Sequence, residues 1–367
     1  MKIAQLILPL ALLFLISACS GDYRPKSIGE VDEVIVVMDS TQWNSETAMA
    51  IEETFGKMIT TLPSREPSYR LTFRDFRNNE QLDRIRQHKN IIFAAPIDEE
   101  TNVSRFIRSI LSEEVENRVR NGDSFAFPLE DRWVRDQWSL ILSSTDDAEL
   151  ARKIRNSEES LVNNLKELEF ERRLEHIFRR GEQVAESDSL WENRGWSVRI
   201  QHDYVQTVDT TDVVVFRRYL PENNRWMWAW TQDNVESFDF VDQEWINATR
   251  DSLMETYIRG EREESYVTTE YRRDIETREV QRDDRIQGYE TLGTWRMTGD
   301  FMGGPFVNFT YYDPETERLF MIEYGQFAPN VTKRRFVRQF QSMGRTFQAD
   351  STWTQTDREQ LTESMQD

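Results

Sequence analysis

Two hydrophobic patterns divide the chain. Between residues 34 and 142, short apolar runs alternate with stretches of helical spacing. Val34 to Met38 (VIVVM) is β-branched and almost wholly apolar, which predicts a strand covered on both faces. Ala48, Ile51, Phe55 and Ile59 then share one side of a helix predicted over 43–60, which Pro63 ends. Tyr69, Leu71 and Phe73 alternate with polar residues as a second strand. A short helix near 79–87 leads into a third strand, Asn90 to Ala95. A helix over 102–119 and a fourth strand, Trp138 to Leu142, follow. Alternation of this kind implies right-handed crossovers and a mostly parallel sheet.

Asp146 and Asp147 head a long helical pattern, with Leu150, Ile154, Leu161, Leu165 and Leu168 spaced by threes, fours and one seven. It runs to Arg180 and stops at Gly181. Unbroken, such a helix would be about 50 Å long at about 1.5 Å per residue, so a kink or hairpin is expected near Asn156-Ser157. Fewer than four clean heptads favour a helix laid across its own domain over a coiled coil.

From Trp196 the pattern changes. Strand-like runs come in succession at 197–202, 212–219 and 225–231, then a helix at 243–258. Further strand-like stretches at 265–275, 286–298, 305–312 and 318–325 precede a helix from Thr332 to Phe347. Adjacent strands with helices set apart imply an antiparallel sheet. The fold class is α+β: an N-terminal mostly parallel α/β sheet domain, a long helical connector, and a C-terminal antiparallel sheet with helices. The expected boundaries are a signal peptide at 1–18, a tether at 19–30, the α/β domain at 31–145, the connector at 146–195, the α+β domain at 196–350 and a flexible tail at 351–367.

The remaining apolar run, Leu6 to Ile16, changes the picture of where the chain resides. It follows Lys2, is broken by Pro9, and is too short for a stable bilayer span but has the length of a signal-peptide core. Ile16-Ser17-Ala18 leads directly to Cys19, the one cysteine of 367 residues. Small residues before a cysteine form the pattern of a bacterial lipoprotein, whose thiol accepts the lipid. Acyl chains such as palmitate would then hold the protein on a membrane, each buried methylene contributing about 0.8 kcal/mol. The plainer alternative is a secreted protein cut near Ala18 with an odd cysteine left over. Ser20 rather than Asp after the cysteine favours the outer membrane, and the single nearby acid, Asp22, favours the periplasmic side.

The net charge of −20 argues against nucleic acid, which needs a basic face, and against lying flat on anionic lipid. Of 46 basic residues only seven are lysine. High acidity with few lysines fits either a salt-adapted surface or an arginine-favouring codon bias.

Candidate chemistry is sparse. His88, His176 and His202 lie apart without metal-ligand spacing, and no nucleophile-elbow, zincin, P-loop, dinucleotide or EF-hand motif occurs. No metal or cofactor is expected. Trp226, Trp228 and Trp230 in a strand would share one face. Exposed, they could stack on sugar rings; buried, they are core, the expected outcome for large aromatics. Gly303, Gly304 and Pro305 read as a tight turn or bulge between strands, or more sharply as backbone closely approached by a ligand; the turn is favoured.

The stretches GTWRMTGDFMGGPFVNFTYYD (293–313) and EYGQFAPNVTKRRFVRQF (323–340) resemble the C-terminal signature of a family of Bacteroidota-type lipoproteins, domain of unknown function 4837. RDSLMETYIRG (250–260), SYVTTE (265–270) and the opening strand EVIVVMDSTQW (33–43) are similar to the same family. Arg259 stands where the family tends to have proline, and the Trp triplet where it is often Tyr-rich. The resemblance implies location and fold coverage, and no activity, cofactor or catalytic residue.

The expected function is therefore a lipid-anchored, non-enzymatic binding or scaffolding module of the cell envelope. Its partners would be the membrane, through the anchor, and an envelope protein or glycan. The alternative is a carbohydrate-active protein, either a glycan binder or an acid-pair glycoside hydrolase.

Overall fold

The computed structural model describes residues 23–220, 223–282 and 285–349. The tail expected at 351–367 lies outside them. The chain divides into two compact units: the first holds the chain up to Thr54 together with Tyr69–Val162, the second Phe55–Ser68 and the chain from Asn163 onward. The stretch 146–195, expected as a connector, is thus shared between the two units.

The first unit is built from β1 (Glu33–Val37), α1 (Glu46–Phe55), β2 (Arg70–Arg74), α2 (Asn79–Ile85), β3 (Asn90–Ala94), α3 (Asn102–Ile110), α4 (Glu113–Arg120), β4 (Ala126–Glu130), β5 (Trp138–Leu142) and α5 (Asp147–Asn156). The sheet order is β2-β1-β3-β5-β4. β2, β1, β3 and β5 are parallel, and β4 alone is antiparallel. Val36 pairs with Phe73 on one side and Ile92 on the other. Ile35, Val37, Ile91, Phe93 and Ile141 pack on one face with Leu82, Phe106, Ile107 and Val119 from α2–α4. The alternate residues Val34, Val36, Ile92, Leu140 and Leu142 are buried as well, which is why the strands carry no polar alternation. The helix expected over 102–119 is two helices, because the Ser112 hydroxyl accepts from the Val115 amide and starts a second N-terminus.

Helix α6 (Glu158–Phe178) follows α5 after the expected break at Ser157 and passes into the second unit at Asn163; α7 (Val184–Arg194) lies wholly in that unit. Its sheet comprises β6 (Val205–Asp209), β7 (Val213–Arg218), β8 (Asn224–Gln232), β9 (Val267–Thr269), β10 (Glu276–Gln281), β11 (Gln287–Met297), β12 (Gly303–Asp313) and β13 (Arg318–Phe327), with α8 (Gln243–Tyr257) and α9 (Arg334–Gly344). The path is β9-β11-β12-β13-β8-β7-β6, with β10 also on β11, and the pairings are antiparallel. The run expected as a strand over 197–202 forms a two-residue pairing, Trp196–Ser197 with Gln348–Ala349, and a single bridge from Gln201 to Glu182.

Both faces of this sheet are covered. Met227, Val307, Phe309, Ile322 and Tyr324 pack with Phe336, Phe340 and Met343 of α9. Trp226, Trp228, Trp295, Phe306 and Met321 pack with Ile246 and Met254 of α8. The excursion 55–68 belongs here for a definable reason. α9 has no side-chain cap of its own. The Glu66 carboxylate supplies one, accepting the amides of Lys333 (2.8 Å) and Arg334 (3.0 Å). Leu62 from the same excursion enters the core beside α9.

Candidate functional site

Cys19 lies outside the described residues. The two other constellations singled out in the sequence are brought together. Trp226, Trp228 and Trp230 share the face of β8 beneath α8; Trp226 and Trp228 are buried and Trp230 is half-buried. They form core rather than a stacking platform, as expected of large aromatics. Trp226 packs edge-on against Trp295 of β11, with ring centroids 5.1 Å apart.

Gly303, Gly304 and Pro305 are not a turn between strands. They are the first three residues of β12, in register with Arg296, Trp295 and Thr294. The turn lies just before them, at 298–302. The missing proline N–H is tolerated because pairing with β13 begins only at Phe306–Gly325. A close approach to glycine does exist, but the neighbour is the protein itself. A Cβ on Gly304 would lie 1.9 Å from the Gln326 carbonyl oxygen, and one on Gly325 would lie 2.3 Å from the Trp226 ring. The Trp295 indole N–H donates to the same Gln326 oxygen at 3.2 Å. The aromatic triplet and the glycine pair are two halves of one packing unit.

No pattern along the chain marks the polar interior. Arg250 of α8 and Glu323 of β13 are fully buried, with Nε to Oε2 and Nη2 to Oε1 both at 2.7 Å. Arg250 also donates to Thr269 Oγ1 (2.6 Å) and stands 3.9 Å over the Phe306 ring. Burial works against its charge, but the Glu323 carboxylate more than compensates and raises its pKa. Asn308 Nδ2 donates to Glu323 (3.2 Å), and Asp251 accepts from Thr269 and from the exposed Tyr271 hydroxyl (3.0 Å). On the α9 face, Glu290 is fully buried, paired with Arg278 and accepting from Gln341 Nε2 (3.1 Å). Near it lies Lys166 of α6, whose pKa is lowered to about 8 by burial and by Arg338 and Arg278. These groups are held by one another, so their first effect is on stability.

In the first unit, strand order reverses between β1 and β3, the place where open α/β sheets bind ligands beyond their strand ends. There Gln42 Nε2 donates to Glu99 Oε2 at 2.6 Å, linking the two loops. The N-terminus of α1, the natural seat of an anion, holds an internal carboxylate instead. Asp147 accepts from the amides of Glu46 (3.0 Å) and Thr47 (3.2 Å). Burial opposes its charge, yet bonds from Thr47, Ser45 and the two amides prevail and lower its pKa.

An open cavity lies in the second unit. About 670 Å³ is lined by Glu255 and Arg259 at the end of α8, Arg262, Glu264, Ser265 and Tyr266 before β9, and Thr298 and Gly299 after β11. Arg262 Nη1 donates to the Gly299 carbonyl (2.7 Å), and Thr298 Oγ1 receives the Tyr266 amide (3.0 Å). These bonds tie the loop to the β11–β12 turn. Each guanidinium has five N–H donors, so the tie leaves capacity for a ligand. Mixed charge and hydroxyls suit a polar, hydrogen-bonding ligand. The only sequence signal was the charged run Arg259 to Glu264 between a helix and a strand. Among the described residues, no group of three His, Cys, Asp or Glu is placed to hold a metal ion, and no helix is long and apolar enough to cross a membrane.

Residues 182–346 match the family model described as Domain of unknown function (DUF4837), and residues 27–178 match a second, Domain of unknown function (DUF8532). The resemblance read from 293–313 and 323–340 falls within the first match, and the opening strand falls within the second. No curated protein matches the chain. Among solved structures, a point mutant of the protein Mog1 is 9% identical with a TM-score of 0.29, covering 43% of this chain and 92% of its own. The Saccharomyces cerevisiae Ran-binding protein Mog1p is 11% identical with a TM-score of 0.27, covering 42% and 90%. Human StAR-related lipid transfer protein 5 is 13% identical with a TM-score of 0.17, covering 50% and 95%.

Proposed function

We propose, for a chain whose residues 182–346 belong to the family Domain of unknown function (DUF4837), a lipid-anchored binding or scaffolding module of the cell envelope. Acyl groups on Cys19 tie it to the outer membrane, and its body faces the periplasm. The observation that carries the anchor is the lone cysteine directly behind a short apolar run and small residues. A single cysteine has no internal partner for a disulfide, so in an exported chain it needs another use. The binding role is supported by the open, mixed-charge cavity around Arg259, Arg262 and Tyr266. Growth with an alkyne-bearing palmitate tests the anchor. The wild type takes up label and Cys19→Ser does not; equal labelling of both, or of neither, removes the reading.

A second reading, glycan binding, is favoured by the same cavity, whose hydroxyls, carboxylates and guanidinium groups match sugar hydroxyls. Glycan-array binding lost on Tyr266→Ala, but kept on Trp228→Ala variants that fold, would select it over a scaffold.

A further inference from the structure

Strands at a sheet edge usually carry a device against further pairing, such as proline, charge or brevity. β4 contains Pro128, and β2 has an exposed arginine at each end, Arg70 and Arg74. β9 is three residues long, and β10 has Glu276, Arg278 and Glu279 among its six. β6 lacks these devices. It ends the sheet path of the second unit and holds no proline or basic residue, and Val205, Thr207 and Asp209 are exposed. Its one charge, Asp209, is engaged by Arg194 of α7. The ladder to β7 passes over Thr207 as a bulge, which bends β6 but puts nothing over its outer side. Among the described residues, no backbone bond outside the β7 ladder reaches Val205 to Asp209.

A groove of about 260 Å³ runs beside this edge, between α7 and β6, lined among others by Glu186, Leu190, Asn193, Gln206, Thr211 and Phe216. Gln206 and Asp209 lie opposite Phe216 and Val214, so these residues of β6 face the groove, while Val208 packs on the other side of the sheet. Glu186 and Gln206 have no hydrogen-bond partner among the described residues. The charge is one-sided. α7 and the stretch 205–212 carry five acids (Glu186, Asp188, Glu192, Asp209, Asp212) against one base, Arg194. Arg194 is already committed to Asp209 and to the carbonyls of Thr210 (2.6 Å) and Thr211 (2.9 Å). Nearby charges cancel in pairs: Arg199 with Glu182, Arg218 with Asp203, and Arg318 with Asp233.

We propose that an extended, basic segment of a partner protein adds to β6 as a further strand. An open sheet edge selects an extended polypeptide, because only a main chain matches its row of N–H and C=O groups. The groove then reads alternate side chains: on that face a lysine or arginine meets Glu186, and the Gln206 amide bonds its neighbour. A second copy of β6 is the poorer occupant, since pairing this edge with itself brings the two sets of acids together. The site shares no residue with the cavity around Arg262, so its failure would leave that cavity and the anchor untouched.

The test selects a displayed library of random short peptides on the purified full chain, and synthesises the enriched sequences. They are expected to carry lysine or arginine at alternate positions with β-branched residues between. Binding protects the amides of residues 205–209 from hydrogen exchange and weakens severalfold on Glu186→Lys with Glu192→Lys, both on the outside of α7. N-methylation of the peptide backbone at one alternate set of residues abolishes binding, and at the other set leaves it intact, because only one set faces β6. Enrichment of neutral or acidic sequences, protection that falls outside 205–209, indifference to N-methylation, or a β6-paired dimer of the chain without peptide overturns the proposal.

Discussion

Arg250 and Glu323 meet as a two-pronged ion pair, both side chains at 0% exposure and both N–O contacts at 2.7 Å. They come from positions 73 apart in the chain. Two charges taken out of water cost several kcal/mol each; their mutual contact, the bonds Arg250 donates to Thr269 and Asp251, and the bond Asn308 donates to Glu323 offset this.

Breaking one side leaves the other charge stranded. Arg250→Met is expected to cost about 3–5 kcal/mol by urea unfolding. Arg250→Met with Glu323→Leu recovers most of that loss. A double variant no better than the single one would show that the pair organises the fold beyond its charge balance.

Gly304 and Gly299 separate close packing from backbone conformation. A Cβ at 304 meets a backbone oxygen that cannot move aside, so Gly304→Ala costs about 3 kcal/mol or more. At Gly299 nothing lies within 4 Å and φ is +69°, so Gly299→Ala costs only about 1–2 kcal/mol. Equal losses in thermal unfolding would contradict the register of β12.

Much of the fold was legible because it rests on local pattern. β1, β3 and β5 are apolar runs that no solvent-exposed segment would carry, and the break at Ser157 follows from helix length. β6 was missed because VQTVD is a half-exposed strand with little apolar signal. β4 was missed because Pro128 argues against a strand; it is tolerated at the sheet edge. α7 was missed because Gly181 ends one helix and Gln183 offers the next no side-chain cap. The polar interior was illegible for a different reason. Glu323 in FMIEYG and Arg250 in ATRDS look like any surface charge until the chain brings them together.

Lys166 gives a pH signature. Its pKa is about 8 in the folded chain against an ordinary 10.5, so between these values the unfolded chain holds more protons. Stability from this group therefore rises with pH from about 8 to about 10.5 and is at its lowest below 8. Lys166→Met removes that rise and stabilises the protein at neutral pH, on the order of 1–2 kcal/mol for a half-buried group. Chemical unfolding at pH 7 and 9.5 measures both effects; an unchanged pH slope would rule out the assignment.

Glu149 acts in the acid range. Bonds from Thr145, Ser144 and Lys153 lower its pKa to about 2. Its contribution is present above about pH 4.5 and is lost as pH falls toward 2. Glu149→Gln should flatten the acid limb of a pH–stability curve for the wild type. A curve of unchanged shape would mean that these bonds do not persist in solution.

The mass of the N-terminal peptide from membrane-purified protein tests the proposed acylation of Cys19. The predicted result is a chain starting at Cys19 with diacylglyceryl and further acyl mass on that residue. A chain with unmodified Cys19, or one starting elsewhere, would contradict it.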